Sequence, residues 1–366
     1  MKSPKIRFKE FNSEWNSTTL GDIFDYIRPD NYIVKSDKYS KNYNTPVLTA
    51  NKAFILGYTN EKNTFNKECV IFDDFTLDLK YVNFPFMVKS SALKILVLKE
   101  KSFNFGFCYE LLKKANIEIL GHARHYISVV QPTKTRIPSD MKEQEAIGEF
   151  FRKIDEILDL EKLRFKKFEN FKKTMLDKLF VASGENAPRL RLGSFTSNWT
   201  SVNLGELGEI IKGQQINKID LLPSGKYYVL NGGVTPSGYT NSFNTNENII
   251  SISEGGSCGF VNFNKEKFWS GGHNYTLQNL VINTRFLYAL LKHREKNIMS
   301  LGVGSGLQNI QKSSLLKFKI QIPTDLKEQE AIGEFFRKID EILELSQNRI
   351  SKLENIKKYL LNKMFV

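Results

Sequence analysis

The sequence predicts an α+β fold in which two homologous mixed α/β lobes are joined by two long antiparallel coiled-coil helices related by a pseudo-twofold axis. Three observations predict it: a helical block that occurs twice, an opening motif that occurs twice, and fainter echoes in the same order between them. Residues 137 to 181 return 185 residues later as 322 to 366, and the stretch from Lys142 to Leu158 is identical, letter for letter, to that from Lys327 to Leu343.

The halves also begin alike. Pro4-Lys5-Ile6-Arg7-Phe8, Phe11, Trp15 and Leu20-Gly21-Asp22-Ile23 answer Pro188-Arg189-Leu190-Arg191-Leu192, Phe195, Trp199 and Leu204-Gly205-Glu206-Leu207. Further along, Gly57-Tyr58-Thr59-Asn60 echoes Gly238-Tyr239-Thr240-Asn241, Val82-Asn83-Phe84 echoes Val261-Asn262-Phe263, and Phe107 to Lys113 echoes Phe286 to Lys292. The chain therefore divides into a first lobe (1-136), a long helix (137-181), a linker (182-188), a second lobe (189-321) and a second long helix (322-366).

In the first helix Ile147, Phe151, Ile154 and Leu158, continuing through Phe165, Phe168, Met175 and Leu179, recur at heptad spacing. Ile332, Phe336, Ile339 and Leu343 hold the same places in the second, so these eight residues are the expected pairing seam. Asp140 with Glu143, and Asp325 with Glu328, read as capping boxes after Pro138 and Pro323. Such a helix runs ~60 Å at 1.5 Å per residue, too long to bury its stripe on a small lobe. Its natural partner is its twin, laid antiparallel with the lobes at opposite ends. The other arrangement open to it is packing of each helix on its own lobe alone.

Composition limits the partners. The 366 residues are 41% hydrophobic and 25% charged, values of an ordinary folded protein of two or three domains. The formal net charge is +13, which points to a polyanion, nucleic acid first. Ten Lys and Arg face nine Asp and Glu from Lys142 to Val181, and eight face seven from Lys327 to Val366, so the lobes hold the excess. The start is charged and no run of 18 apolar residues occurs, so a cytoplasmic location is expected. Cys69, Cys108 and Cys258 are scattered and read as buried small hydrophobes. The identical block also includes residues expected to face solvent: Glu143, Gln144, Glu145 and Arg152, with Glu328, Gln329, Glu330 and Arg337 in the twin. Either two copies of one partner dock there, or the duplication is recent and has not drifted.

The P-x-[IL]-R-[FL]-x-x-F-x-x-x-W-x-x-x-x-L-G-[DE] opening of each half and the EQEAIGEFFRKIDEIL helix after each Ile-Pro resemble type I restriction-modification specificity (S) subunits over essentially the whole chain. The resemblance implies two target-recognition domains, each reading one half of a split, asymmetric DNA target. It implies two methyltransferase (M) subunits docking on the chain to supply S-adenosylmethionine-dependent adenine methylation. It also implies restriction (R) subunits for ATP-driven cleavage, with S-adenosylmethionine, Mg2+ and ATP held by partner subunits, no cofactor in this chain and no membrane association.

Sequence is read at base edges in the major groove, with Lys and Arg on phosphates setting register, so polar Gly-rich loops are the candidate carriers. In the first lobe these give Asn51, Lys52, Tyr58, Asp74, Thr76, Lys80, Lys89, Ser90, Ser91, Arg124 and His125. In the second they give Asn231, Thr235, Ser237, Tyr239, Lys265, His273, Asn274 and Tyr275, then Gly304, Ser305 and Gln308. An ordinary turn or capping role competes with base contact at each.

Catalytic signatures are missing. Asn83-Phe84-Pro85-Phe86 departs at its second position from the N-P-P-[FY] of adenine methyltransferases. Asp78-Leu79-Lys80, Asp140-Met141-Lys142 and Asp325-Leu326-Lys327 fit D-x-K, and the last two sit where Asp caps a helix. There is no G-x-x-x-x-G-K-[ST] loop, and His122 with His125 lacks a third metal ligand. The reading is a non-enzymatic subunit. Its rivals are a type IIB-like or orphan methylation specificity subunit, and a coiled-coil protein adaptor, which would bind DNA with little salt dependence.

Overall fold

The computed structural model describes residues 3–50, 53–74, 76–115, 126–182 and 184–366. It forms two compact units, Met1–Lys162 with Arg349–Val366, and Leu163–Asn348.

In the first unit the strands are β1 (Trp15–Thr19), β2 (Phe24–Ile27), β3 (Thr45–Leu48), β4 (Ile55–Thr59), β5 (Cys69–Asp73), β6 (Leu79–Val82), β7 (Met87–Val88), β8 (Leu93–Leu98) and β9 (Lys134–Pro138). The helical turn α1 (Leu20–Ile23) follows β1, α2 (Phe105–Lys114) follows β8, and α3 (Met141–Leu179) begins after β9. An antiparallel sheet of order β2-β8-β5-β6 carries the core, beside the small sheet β4-β3-β7 and the ribbon β1-β9. Every residue of β5 is buried because both faces are covered. Val70 and Phe72 meet α2 in one cluster, while Cys69 and Ile71 meet Leu48 and Val88 of the small sheet in another.

The second unit repeats this strand for strand: β10 (Trp199–Asn203), β11 (Glu209–Lys212), β12 (Tyr227–Leu230), β13 (Gly238–Thr240), β14 (Ile249–Ser253), β15 (Val261–Asn264), β16 (Trp269–Ser270), β17 (Asn274–Gln278) and β18 (Lys319–Pro323). Its helices are α4 (Thr284–His293), α5 (Glu295–Met299), α6 (Lys312–Leu316) and α7 (Leu326–Met364). The sheet orders are β11-β17-β14-β15, β13-β12-β16 and β10-β18. Register aligns Gly57 with Gly238 as the sequence suggests. It does not align Val82 with Val261. Cys69 pairs Val82 and Ile249 pairs Asn264, so Val82 answers Asn264, and the shared Val-Asn-Phe triplet is three residues out of register. A three-letter match in an alternating strand carries too little pattern to fix register.

The long helices pair antiparallel within each unit, and each unit combines the start of one with the end of the other. In the first, Phe151 of α3 meets Phe365 just beyond α7 at 5.8 Å between ring centroids, Lys357 meets Asp155 at 2.5 Å, and Lys162 meets Glu354 at 2.6 Å. In the second, Phe336 of α7 stacks on Phe180 at 5.7 Å and Lys172 meets Asp340 at 2.6 Å. Of the expected seam, Ile147, Phe151, Leu158, Ile332, Phe336 and Ile339 are buried, and Ile154 and Leu343 are half-buried. The stripe pairs with its twin, as expected, and also meets the lobes: a helix start packs on its own repeat's lobe, and its end packs on the lobe of the other repeat. Trp15, Phe107 and Phe151 thus enclose Phe365, as Trp199, Phe286 and Phe336 enclose Phe180.

The opening motif and the identical block form one device. Arg7 Nε and Nη2 donate to the two Glu143 carboxylate oxygens at 2.6 and 2.7 Å, and Trp15 Nε1 donates to Glu143 Oε1 at 3.2 Å. In the second unit Arg191 Nη1 reaches Glu328 Oε2 at 3.5 Å and Trp199 Nε1 reaches Oε1 at 3.4 Å. Gln144 accepts from Asn104 N and donates to Pro138 O, and Gln329 does the same with Asn283 N and Pro323 O. The solvent-facing expectation for Glu143, Gln144, Glu328 and Gln329 is therefore corrected: all four are buried, because the neighbouring strand and helix end need their hydrogen bonds. Nor do the two Glu residues close capping boxes. Asp140 and Asp325 cap through Lys142 N and Lys327 N, while the Glu side chains face the Arg and Trp of the opening motif. Gly148 and Gly333 are required by close approach, since a Cβ there would strike Asn104 Oδ1 or Asn283 Oδ1 at 2.6 Å.

Candidate nucleic-acid interface

In the second lobe the fold gathers the ends of several strands into one cluster of loops. Gly213, after β11, donates to Asn274 O at 2.8 Å, and Gln214 donates to Ser270 O at 2.8 Å. Ser257 donates to Gly232 O at 2.8 Å, and His273 N donates to Asn231 Oδ1 at 3.1 Å. Glu254, just past central strand β14, is the hub. Its N–H donates to His273 O, its carbonyl accepts from Ile310 N at 2.9 Å, and its carboxylate accepts from Tyr275 OH and Lys212 Nζ, each at 2.8 Å. Burial and the Glu254 carboxylate together push the Tyr275 phenol well above its ordinary value. Gly232, at φ +83, passes so close to Gly255 that a Cβ would strike its carbonyl, and this closeness requires the glycine.

The exposed edge of this cluster presents Lys212, Gln214, Gln215, Thr235, His273, Gly304, Ser305 and Gln308. Of the sequence candidates, Thr235, His273, Gly304, Ser305 and Gln308 come together there, with Asn231 half-buried as a cross-brace. Asn274 and Tyr275 are corrected from reading loop to buried structure: both lie on β17, where Asn274 bonds Ser270 Oγ and Tyr275 bonds the hub. Ser237 is exposed at the end of the β12–β13 connection and Tyr239 on β13, and Lys265 pairs with Glu344 of α7. Lys212, Gln214 and Gln215 were not among the candidates. The Lys-Gly-Gln-Gln run at a strand end was their available signal.

The first lobe builds the equivalent place with fewer described residues. Lys89 N donates to Leu48 O at 2.9 Å, as Gly271 N does to Leu230 O. Asp74 takes the place of Glu254. It is corrected from base contact to buried anchor, accepting from Tyr126 N at 2.8 Å and lying 3.6 Å from buried Lys94. Thr76, Ser90 and Ser91 are exposed beside it. Lys89 pairs with Asp37, Lys80 lies 3.1 Å from Asp78, and Tyr58 is exposed on β4. Asn51, Lys52, Arg124 and His125 lie outside the described residues.

Charge favours an anionic ligand on both lobes. Residues 1–136 hold 21 Lys and Arg against 14 Asp and Glu, and residues 189–321 hold 14 against 7. On the helices Glu145, Arg152 and Glu330 are exposed and Arg337 is half-buried, with Arg152 bound to Glu149 and Arg337 to Glu334, each at 2.6 Å or less from its partner. Apolar side chains also remain uncovered there: Leu160 is 66% exposed and its twin Leu345 is 69% exposed. Among the described residues no group of three or more His, Cys, Asp or Glu is placed to hold a metal ion, and no helix is long and apolar enough to cross a membrane.

A family model for the type I restriction modification DNA specificity domain matches residues 12–169 and again 196–355. The chain is 40% identical over 149 residues to a protein named as a type I specificity subunit in Mycoplasma pneumoniae, a match covering 40% of each chain. It is 39% identical over 132 residues to the Escherichia coli EcoR124I/EcoR124II specificity subunit, covering 34% of this chain and 32% of that one. These matches thus span less than half the length of either relative. The crystal structure of the type I restriction-modification S subunit from M. genitalium superposes with a TM-score of 0.78 at 19% identity, over 100% of this chain and 99% of that one, which establishes the shared fold.

Proposed function

The chain belongs to the type I restriction-modification DNA specificity family, and from that premise we propose that it is the non-catalytic subunit that selects the DNA sequence for a larger complex. Each lobe reads one half of a bipartite, asymmetric target through its loop cluster, and the length of the helices sets the number of unspecified base pairs between the halves. Two methyltransferase subunits dock along the helices, where Leu160 and Leu345 offer the same apolar surface in each repeat. S-adenosylmethionine, Mg2+ and ATP belong to these and to restriction subunits.

One observation carries this reading: two lobes of identical strand order each place a braced polar loop cluster at the end of the same central strand, and each holds an excess of seven positive charges. Duplicated topology with divergent loops suits two different half-sites. Methylome sequencing of cells with and without the gene tests it. The expected result is one methylated motif made of two defined halves and a fixed gap, lost with the gene. Inserting one helical turn ahead of either long helix should change that gap. A motif unaffected by deletion would reject the function, and an unchanged gap would reject the helix as its ruler.

A further inference from the structure

Within the loop cluster of the second lobe one side chain does not fit a purely polar reading surface. Val303 and Asn309 exchange two backbone hydrogen bonds of 3.0 Å, closing a narrow hairpin over Gly304–Gln308. Its base is held firmly: Ile310 is buried, its N–H donates to Glu254 O, and its carbonyl accepts from Tyr275 OH at 3.2 Å. The backbone near the tip is also fixed. Leu307 O accepts from Asn309 Nδ2 at 3.3 Å and lies against Gly304, whose φ of +127 a side chain would strain. Yet the Leu307 side chain is 83% exposed, and Val303 and Val234 on the same and an adjacent loop are 55% and 54% exposed.

On a loop cluster read as facing DNA, an apolar side chain held out on a braced hairpin gains most from an apolar counterpart on the ligand. The major-groove edge of DNA offers one sizeable apolar group, the C5-methyl of thymine, set among hydrogen-bond donors and acceptors. Resting on the reading above, the geometry points to Leu307 as a specificity-determining residue that recognises a thymine methyl in the half-site of the second lobe. Val303 and Val234 widen the apolar contact, and Gln308 and Ser305 on either side take the neighbouring polar edges. The braced hairpin presents the side chain without a loop-ordering cost on binding.

The test uses the full chain and duplexes carrying the motif found by methylome sequencing. Each thymine is replaced in turn by uracil, which removes only the methyl group. At one position the wild-type chain should bind about fourfold more weakly, the weight of one methyl group moved out of water. Leu307→Ser should be insensitive to that replacement, and Leu307→Met should keep the sensitivity. Because Leu307 is 83% exposed, both variants should melt with the wild type, which a thermal scan verifies. If the wild type binds its motif but no uracil position distinguishes it from Leu307→Ser, the inference is overturned while the reading of function stands. If methylome sequencing finds no motif that depends on the gene, the reading itself falls and the inference with it.

Discussion

Between the two sheets of the first lobe, Ile71, Val82, Val88, Leu93 and Ile95 form an apolar layer; at the register-equivalent places of the second lobe stand Ser251, Asn264, Ser270, Asn274 and Thr276, all buried. The polar layer is internally bonded: Asn264 Nδ2 donates to Ser251 Oγ and Ile249 O at 3.0 Å, and Tyr228 OH of the small sheet donates to Asn264 Oδ1 at 3.2 Å. The opposite face of the same central sheet is apolar in both lobes, through Val70 and Phe72 or Ile250 and Ile252. The topology thus tolerates either chemistry where sheet meets sheet, provided every buried polar group finds a partner. It keeps one chemistry where the lobe meets the long helices.

Emptying the aromatic site that both lobes share should cost most. Phe180→Ala and Phe365→Ala each remove a buried ring from an aromatic cage, at a cost of about 3–5 kcal/mol. Phe180 lies in the first repeat, yet hydrogen exchange should speed up within Leu163–Asn348, which holds the second lobe, and Phe365→Ala should do so in the unit of the first lobe. Loss of protection in the mutated residue's own repeat instead would refute the exchange of helix ends.

The buried clamps should differ in degree. Arg7→Ala leaves Glu143, fully buried and formerly bonded at two oxygens, without its cation and should cost about 3 kcal/mol. Arg191→Ala should cost less, about 2 kcal/mol, because the longer 3.5 Å contact contributes less. Burial already raises the Glu328 pKa above 4.5, against the opposing pull of Arg191. A raised folded-state value means the fold holds that proton more tightly than the unfolded chain, so this group's destabilising effect grows as pH rises through the folded value and fades as pH falls towards 4.5. Removing Arg191 raises the value further, and the deficit of Arg191→Ala relative to wild type should shrink between pH 7 and pH 5. A pH-independent deficit in urea titrations would show that Glu328 stays ionised.

Much of this architecture was legible because duplication makes periodicity visible: the twin helices, the seam from Ile147 to Leu158, and the two lobes all follow from patterns longer than chance matches. What stayed hidden was burial of polar residues. Glu143 and Gln144 look like solvated helix positions, and only the Arg7 and Asn104 contacts show them as interior, although the Arg and Trp of the opening motif were in plain view. Asp74, Asn274 and Tyr275 have loop-like composition but sit where strands end against a neighbour. Strand order was equally invisible, since it depends on pairings between residues far apart in sequence.

The smallest effect tests the polar layer itself. Asn264→Val installs the residue that occupies the equivalent site in the first lobe, matching its register but not its surroundings. Ser251 Oγ and Ile249 O lose the Asn264 donor, and Tyr228 OH loses its acceptor. Partial loss of bonding by buried groups costs about 1–2 kcal/mol, offset in part by the gain from burying two methyl groups. Thermal unfolding should therefore show a modest loss. Adding Ser251→Ile, which completes the first lobe's pair, should recover part of it, because replacing both partners removes the unpaired group along with the bond. If the double variant is less stable than the sum of the two single ones, the layers are not interchangeable, and each lobe's inter-sheet chemistry is tied to the loops it supports.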